Sequence, residues 1–179
     1  METNLADGAK TDRIMWFSMW FLGSIASFGL AFFPFFYFSV DRRNRHFQRQ
    51  QEFEKQIVTS FKKEWSPPSV RMRNAGLWAA SIILILPVFA IAYLLSRDLN
   101  EHERHQQDFL AEFYPDRSYT PKWISIRTCA IVTVVTLGFG VIYWLYKIVN
   151  VYNNHFKEQH HIEHDLLKLV EAKSHVEPV

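Results

Sequence analysis

The densest store of reactive side chains is the stretch HFKEQHHIEH, which carries His155, His160, His161 and His164. His160 and His164 are four residues apart, so on a helix they share one face, and Glu163 stands beside the second. Two imidazoles at that spacing can hold a divalent metal ion while the carboxylate serves as a base. These four histidines are the candidate metal ligands.

Hydrolysis is not the expected outcome of that cluster. Only 15 residues follow His164, which leaves no place for the further ligand a zinc protease needs, and the separate HxxxH boxes of a membrane desaturase are absent. There is also no G-x-G-x-x-G, P-loop or G-x-S-x-G motif. The expected chain is non-catalytic and needs no cofactor, with a divalent metal on the histidines as the alternative.

A second set of histidines belongs to a pattern that occurs three times, beginning at Tyr37, Tyr93 and Tyr146 and written Y-x6-N-x-H-x3-Q. Asn44, Asn100 and Asn153 align, as do His46, His102 and His155, and Gln50, Gln106 and Gln159. Agreement of several positions at one offset, twice over, indicates one structural unit used three times. In the second and third copies the His and Gln continue an apolar stripe through Phe109 and Phe113, and through Ile162 and Leu166. The stripe residues His46, Gln50, His102, Gln106, Phe109, Phe113, His155, Gln159, Ile162 and Leu166 are the candidate interface. Their polar members are expected to set register, bonded to one another or to the neighbouring Asn. A metal or proton-relay role and a lipid-headgroup contact are the alternatives.

The elements that must carry these residues follow from hydropathy. Three apolar runs, 14–40, 75–95 and 128–149, hold one charge between them, Lys147, and each reaches the roughly 20 residues needed to span a bilayer as a helix. Trp16, Trp20, Trp123, Tyr143, Trp144 and Tyr146 stand near their ends, as aromatic rings do at membrane interfaces. The first run is too long for a signal peptide. No Asp or Glu lies within the runs, which argues against ion-coupled transport. The lone Cys129 has no partner in its chain and reads as apolar filler.

The expected fold is therefore an all-α membrane protein with three transmembrane helices, each continued by an amphipathic polar helix. The divisions are a polar segment 1–13, repeat 1 over 14–68 (span 14–40, amphipathic helix 41–63) and repeat 2 over 69–121 (span 75–95, helix 96–113). Repeat 3 covers 122–172 (span 128–149, helix 150–170), followed by a tail 173–179. Connector 41–74 and the tail from 147 carry 13 Lys and Arg against 7 on the other side. The positive-inside bias then gives a multi-pass cell-membrane protein with its N-terminus outside and C-terminus cytoplasmic.

The repeat pulls the other way, because single crossings would separate the second polar helix from the other two. Runs broken near Gly29, Pro87 or Gly138 would leave all three on one face. Full crossings are preferred, since irregular backbone exposed to lipid is costly.

The stretch TLGFGVIYWLYKIVNVYNNHF, from Thr136, resembles the signature of a family of small prokaryotic, notably archaeal, membrane proteins classed as a domain of unknown function. The resemblance covers 123–156. FGLAFFPFFYFSVDRRNRHF is similar to a diverged copy, with Pro34 where the third has Tyr143, and 75–113 to a further one lacking the glycines. The resemblance implies membrane location and repeat character, and it brings no reaction or catalytic residue. The expected role is an accessory subunit or scaffold of a membrane complex, with the lipid bilayer and other subunits or a second copy as partners. Nucleic acid is not expected, since the pI near 8.7 averages apolar runs with polar connectors. The alternative is a histidine-dependent metal-binding or sensing protein.

Overall fold

The computed structural model describes residues 11–66 and 71–176, with side chains to Lys173. Residues 1–10 of the polar leader, the Pro67–Pro68 pair and 177–179 of the tail lie outside the described residues. The described chain is all-helical: α1 (Phe17–Ala26), α2 (Phe32–Phe61), α3 (Ala75–Ser81), α4 (Leu86–Phe113), α5 (Ile126–Val135) and α6 (Gly140–Val176), with a 3-10 turn over Ile82–Leu84.

Each apolar run turns back on itself instead of continuing straight. After α1, Phe28 and Gly29 take positive φ (51° and 92°), and after α5, Leu137 and Gly138 do the same (51° and 98°). The hydrogen bonds repeat atom for atom. Gly29 N–H donates to Ser24 O and Gly138 N–H to Thr133 O, both at 2.7 Å. The hydroxyls of Ser27 and Thr136 then accept from the backbone N–H of Ala31 and Gly140, which opens the next helix. A helix end closed by a left-handed residue and a hydroxyl cannot propagate. In the second repeat Ile85 makes the reversal with φ of 61°, and Pro87 follows within the first turn of α4, where its missing N–H is harmless.

These reversals correct the expected topology. Among the described residues no helix is long and apolar enough to cross a membrane, so three transmembrane helices and a multi-pass location are overturned, together with the sidedness built on them. Run length alone misled because hydropathy is blind to φ. The 27 apolar residues 14–40 are spent on a ten-residue helix, a turn and the start of a second helix.

The long helices α2, α4 and α6 run parallel and in register. The rings of His46, His102 and His155 meet pairwise at 4.9–5.4 Å between centroids. One turn further, Gln106 Nε2 donates to Gln159 Oε1, and Gln159 Nε2 donates to Gln50 Oε1. Beyond the glutamines, Phe53, Phe109 and Ile162 share an apolar core with Ile57, Phe113 and Leu166. On the other side of the histidines a larger core gathers Phe35, Ile91 and Trp144 among others.

The three asparagines close the three repeats into a ring. Asn44 pairs with the backbone of Arg73, Asn100 with that of Ile124, and Asn153 with that of Met15, in each case through one accepted N–H and one donated amide. The clamped residue always precedes the N-cap of a short helix: Trp16, Asn74 or Ser125. Each repeat therefore holds the start of the next, and the last holds the first. The asparagines serve backbone groups, not the histidines two residues on.

Candidate metal centre

The site grows from the threefold arrangement. Equivalent positions on three parallel helices point at one axis, so the His at the same place in every copy meet there. One ring nitrogen from each of His46, His102 and His155 lies within 4.8 Å of the other two. His46 and His155 are almost wholly buried, while His102 stands at the edge with 9 % exposure.

Two carboxylates fix the orientation of two rings. His46 Nδ1 lies 2.8 Å from Asp12 Oδ1, and His155 Nδ1 lies 2.6 Å from Glu103 Oε1. Burial pushes the Asp12 carboxyl up, but His46 and Arg49 outweigh it, and the net shift is downward. Glu103 also ends below its ordinary range: burial opposes ionisation, while His155, the Tyr119 hydroxyl and the Lys122 N–H favour it. An ionised carboxylate only accepts, so each Nδ1 carries the proton.

The consequence falls on the opposite edges of the rings. His46 Nε2 and His155 Nε2 face each other at 3.0 Å. With both Nδ1 atoms protonated, neutral imidazoles would bring two lone pairs together. A proton or a metal ion must stand between or beside them. Burial drives His46 down to about 4, against the pull of Asp12, and holds His102 well below its usual value, so protonation of these two rings is disfavoured at neutral pH. Around a tetrahedral zinc with bonds of about 2.0–2.1 Å, ligand nitrogens stand roughly 3.3 Å apart, near the 3.0 Å between His46 Nε2 and His155 Nε2, while the three rings together keep theirs within 4.8 Å. The carboxylate–histidine pairs also match the outer partners that hold metal-binding imidazoles.

His102 supplies the third element. Its Nε2 is buried and has no hydrogen-bond partner, and the same is true of Gln106 Oε1 one turn along α4. Buried polar atoms are normally satisfied, and two unpartnered ones on consecutive turns beside the His46–His155 pair suit a bound ligand there. His102 and Phe47 also line a cleft of about 300 Å³ rimmed by Arg71, Arg73, Arg97 and Arg104.

The four histidines of the C-terminal stretch do not come together. His155 turns inward, whereas His161 and His164 are exposed and His160 is half-buried, 3.7 Å from Asp12 Oδ2. Glu163 is no free base, because both its oxygens take Arg49 Nη1 at 2.7–2.8 Å. The stripe residues Gln50, Gln106, Phe109, Phe113, Gln159, Ile162 and Leu166 are all buried inside this chain. The residues that sequence reasoning missed are Asp12 and Glu103. Glu103 left a trace, since it stands where the other copies have Phe47 and Phe156. Asp12 left none.

Comparison with family models, with curated proteins and with solved structures finds no match. No residue's role is therefore carried over from a relative, and the site rests on its own geometry.

Proposed function

We propose that the protein is a non-catalytic metal-binding protein in which one first-row divalent ion, taken by His46, His102 and His155, ties the three repeats together. The observation that carries this is the approach of His46 Nε2 to His155 Nε2 at 3.0 Å, with each ring held at Nδ1 by a carboxylate and the unpartnered His102 Nε2 buried beside them. Imidazole ligands suit zinc, copper, nickel and iron. Each repeat contributes one ligand, so binding couples to the folded arrangement of all three. Phe47 stacks on His102 and Phe156 lies against His46, so aromatic rings pack directly on two of the three imidazoles. This favours binding or sensing over turnover. The accessory-subunit reading draws less support, because the stripe that would contact a partner is consumed within the chain.

The test is metal analysis of full-length protein purified without a histidine tag, dialysed against Zn2+ and then against buffer. About one ion per chain is expected, as three imidazoles make one site. His46→Gln, His102→Gln and His155→Gln should each lose it, and His160→Ala with His164→Ala should keep it. A wild type that retains no metal, or a triple glutamine variant that does, overturns the reading.

A further inference from the structure

Among the described residues the apolar surface is confined to one end. Every large hydrophobic residue described as substantially exposed falls within 14–37, 72–93 or 123–146, the hairpin halves of the repeats, and none on the described polar halves of the long helices. The tips are the extreme case: Phe28 is 99 % exposed and Leu137 91 %, with Leu84 and Leu86 beside Ile85 in the second hairpin. Soluble proteins seldom leave so large an apolar area bare. Between the tips lies an apolar cavity of about 430 Å³, lined from all three repeats by residues such as Phe28, Phe32, Ile83, Ile85 and Ile142.

Three features identify what covers this end. The repeat tyrosines Tyr37, Tyr93 and Tyr146 are each 41–49 % exposed, and each stands eight residues after the positive-φ residue Gly29, Ile85 or Gly138. At 1.5 Å per residue they form a girdle about 12 Å from the tips, close to half of a hydrocarbon core roughly 30 Å thick. Because the asparagine clamps close the three repeats into a ring, the girdle has one tyrosine on each repeat around it. A protein partner covers one side of a molecule, whereas a solvent covers all of it. Charge agrees: Arg13, Arg45, Arg71, Arg97, Arg127 and Lys147 stand exposed on the hairpins and their bases, whereas Arg42 and Arg43 are buried and Arg73 pairs with Asp98. Basic residues below an aromatic girdle suit anionic headgroups.

We propose that the three hairpins embed in one leaflet of an anionic phospholipid bilayer without crossing it. The tips reach toward the midplane, acyl chains fill the cavity between them, and the tyrosines lie at the headgroup boundary. The backbone at each reversal is not left bare, because the turn bonds and the Ser27 and Thr136 hydroxyls satisfy it. The metal centre then stands outside the bilayer, on the polar side. This inference is independent of metal occupancy.

The experiment is flotation of the full chain with phosphatidylcholine vesicles, with and without phosphatidylglycerol, beside the variant Phe28→Ser, Leu84→Ser and Leu137→Ser. All three positions are exposed, so unchanged helicity by circular dichroism should accompany the substitutions. The wild type is expected to float, more so with phosphatidylglycerol, and the variant to lose roughly tenfold or more in vesicle partition. A wild type left in the aqueous fraction overturns the proposal, as does a variant that floats equally. Binding indifferent to phosphatidylglycerol overturns the anionic assignment. Self-association that the variant abolishes, without flotation of the wild type, would make this end a contact between copies instead.

Discussion

His46 and His155 meet Nε2 to Nε2 at 3.0 Å, each held from behind by a carboxylate, Asp12 and Glu103 respectively. The arrangement makes the metal-free fold sensitive to acid. Burial lowers His46 from 6.5 to about 4, so between those values the unfolded chain binds a proton that the folded chain refuses. Stability therefore stands in full above about pH 6.5 and falls as pH drops toward 4, by on the order of 3 kcal/mol for this residue. His102 shifts in the same direction and adds to the loss. Urea midpoints from about pH 7.5 to 4.5 should show the decline, and His46→Gln should flatten it. An equal slope in wild type and variant would remove His46 as its source. Saturating Zn2+ should raise the midpoint at neutral pH and lose its effect as protons compete for the nitrogens.

Asn153 closes the ring of repeats by clamping Met15, whose side chain is buried. Asn153→Ala would leave the Met15 N–H and C=O without this partner and loosen Asp12 behind His46. A loss of about 1–3 kcal/mol is expected from such a pair of unmet bonds. Asn44→Ala and Asn100→Ala should cost similar amounts, measured by chemical denaturation, because each makes the same two-bond clamp. A neutral Asn153→Ala would show that the ring closure is incidental. Asn153→Ala should also weaken Zn2+ binding more than Asn44→Ala, whose clamp lies on Arg73.

The spacing of Asn44, His46 and Gln50 and their counterparts made the threefold unit legible, since equal offsets on parallel helices bring equal residues to one axis. The helical class was legible for the same reason, through the stripe that ends in Ile162 and Leu166. What the letters concealed was direction. A run such as 14–40 has the same hydropathy whether it continues or turns, and the turn depends on Phe28 and Gly29 adopting positive φ with Ser27 as the hydroxyl cap. Once the runs reverse, the shared environment of the three polar helices no longer conflicts with their shared sequence. The candidate site was half legible. His155 stood in both sets of histidines, but the inward turn that separates it from His160 and His164 depends on contacts from α2 and α4. Asp12 reaches His46 from a segment with no pattern of its own.

Ile85 occupies the position that glycine fills in the other two hairpins, with φ of 61° and ψ of −52°. A β-branched residue in that region is strained, at a cost of about 1–2 kcal/mol. Ile85→Gly should relieve the strain and offset it partly through a looser unfolded chain, for a net gain of about 0.5–1 kcal/mol in detergent solution. Because Ile85 is 69 % exposed at a hairpin tip, the same change should weaken vesicle partition. Stability and membrane affinity would then move in opposite directions. A variant that loses stability would show that the side chain's contacts in the apolar cavity outweigh the strain.

The direction of the polar helices can be read by labelling. Gln48, Arg104 and Lys157 occupy equivalent places in the three copies, two residues beyond the histidines, and all are exposed. Cys129 is buried, and Cys129→Ser provides a background free of other thiols. Cysteines introduced singly at the three positions should report one compartment, because each apolar run reverses and returns its long helix to the side it left. With protein bound to preformed vesicles, an impermeant maleimide should label all three to the same extent before detergent is added. Protein recovered from cell membranes should likewise show three labelled or three protected sites. Single crossings would put Arg104 opposite the other two, so labelling of Gln48 and Lys157 with protection of Arg104 until permeabilisation would contradict the reversals at Gly29, Ile85 and Gly138. The clamping of Ile124 by Asn100 and of Arg73 by Asn44 depends on those reversals, since each clamp joins the base of one hairpin to the long helix of its neighbour. A split labelling pattern would therefore break the ring of repeats as well as the topology.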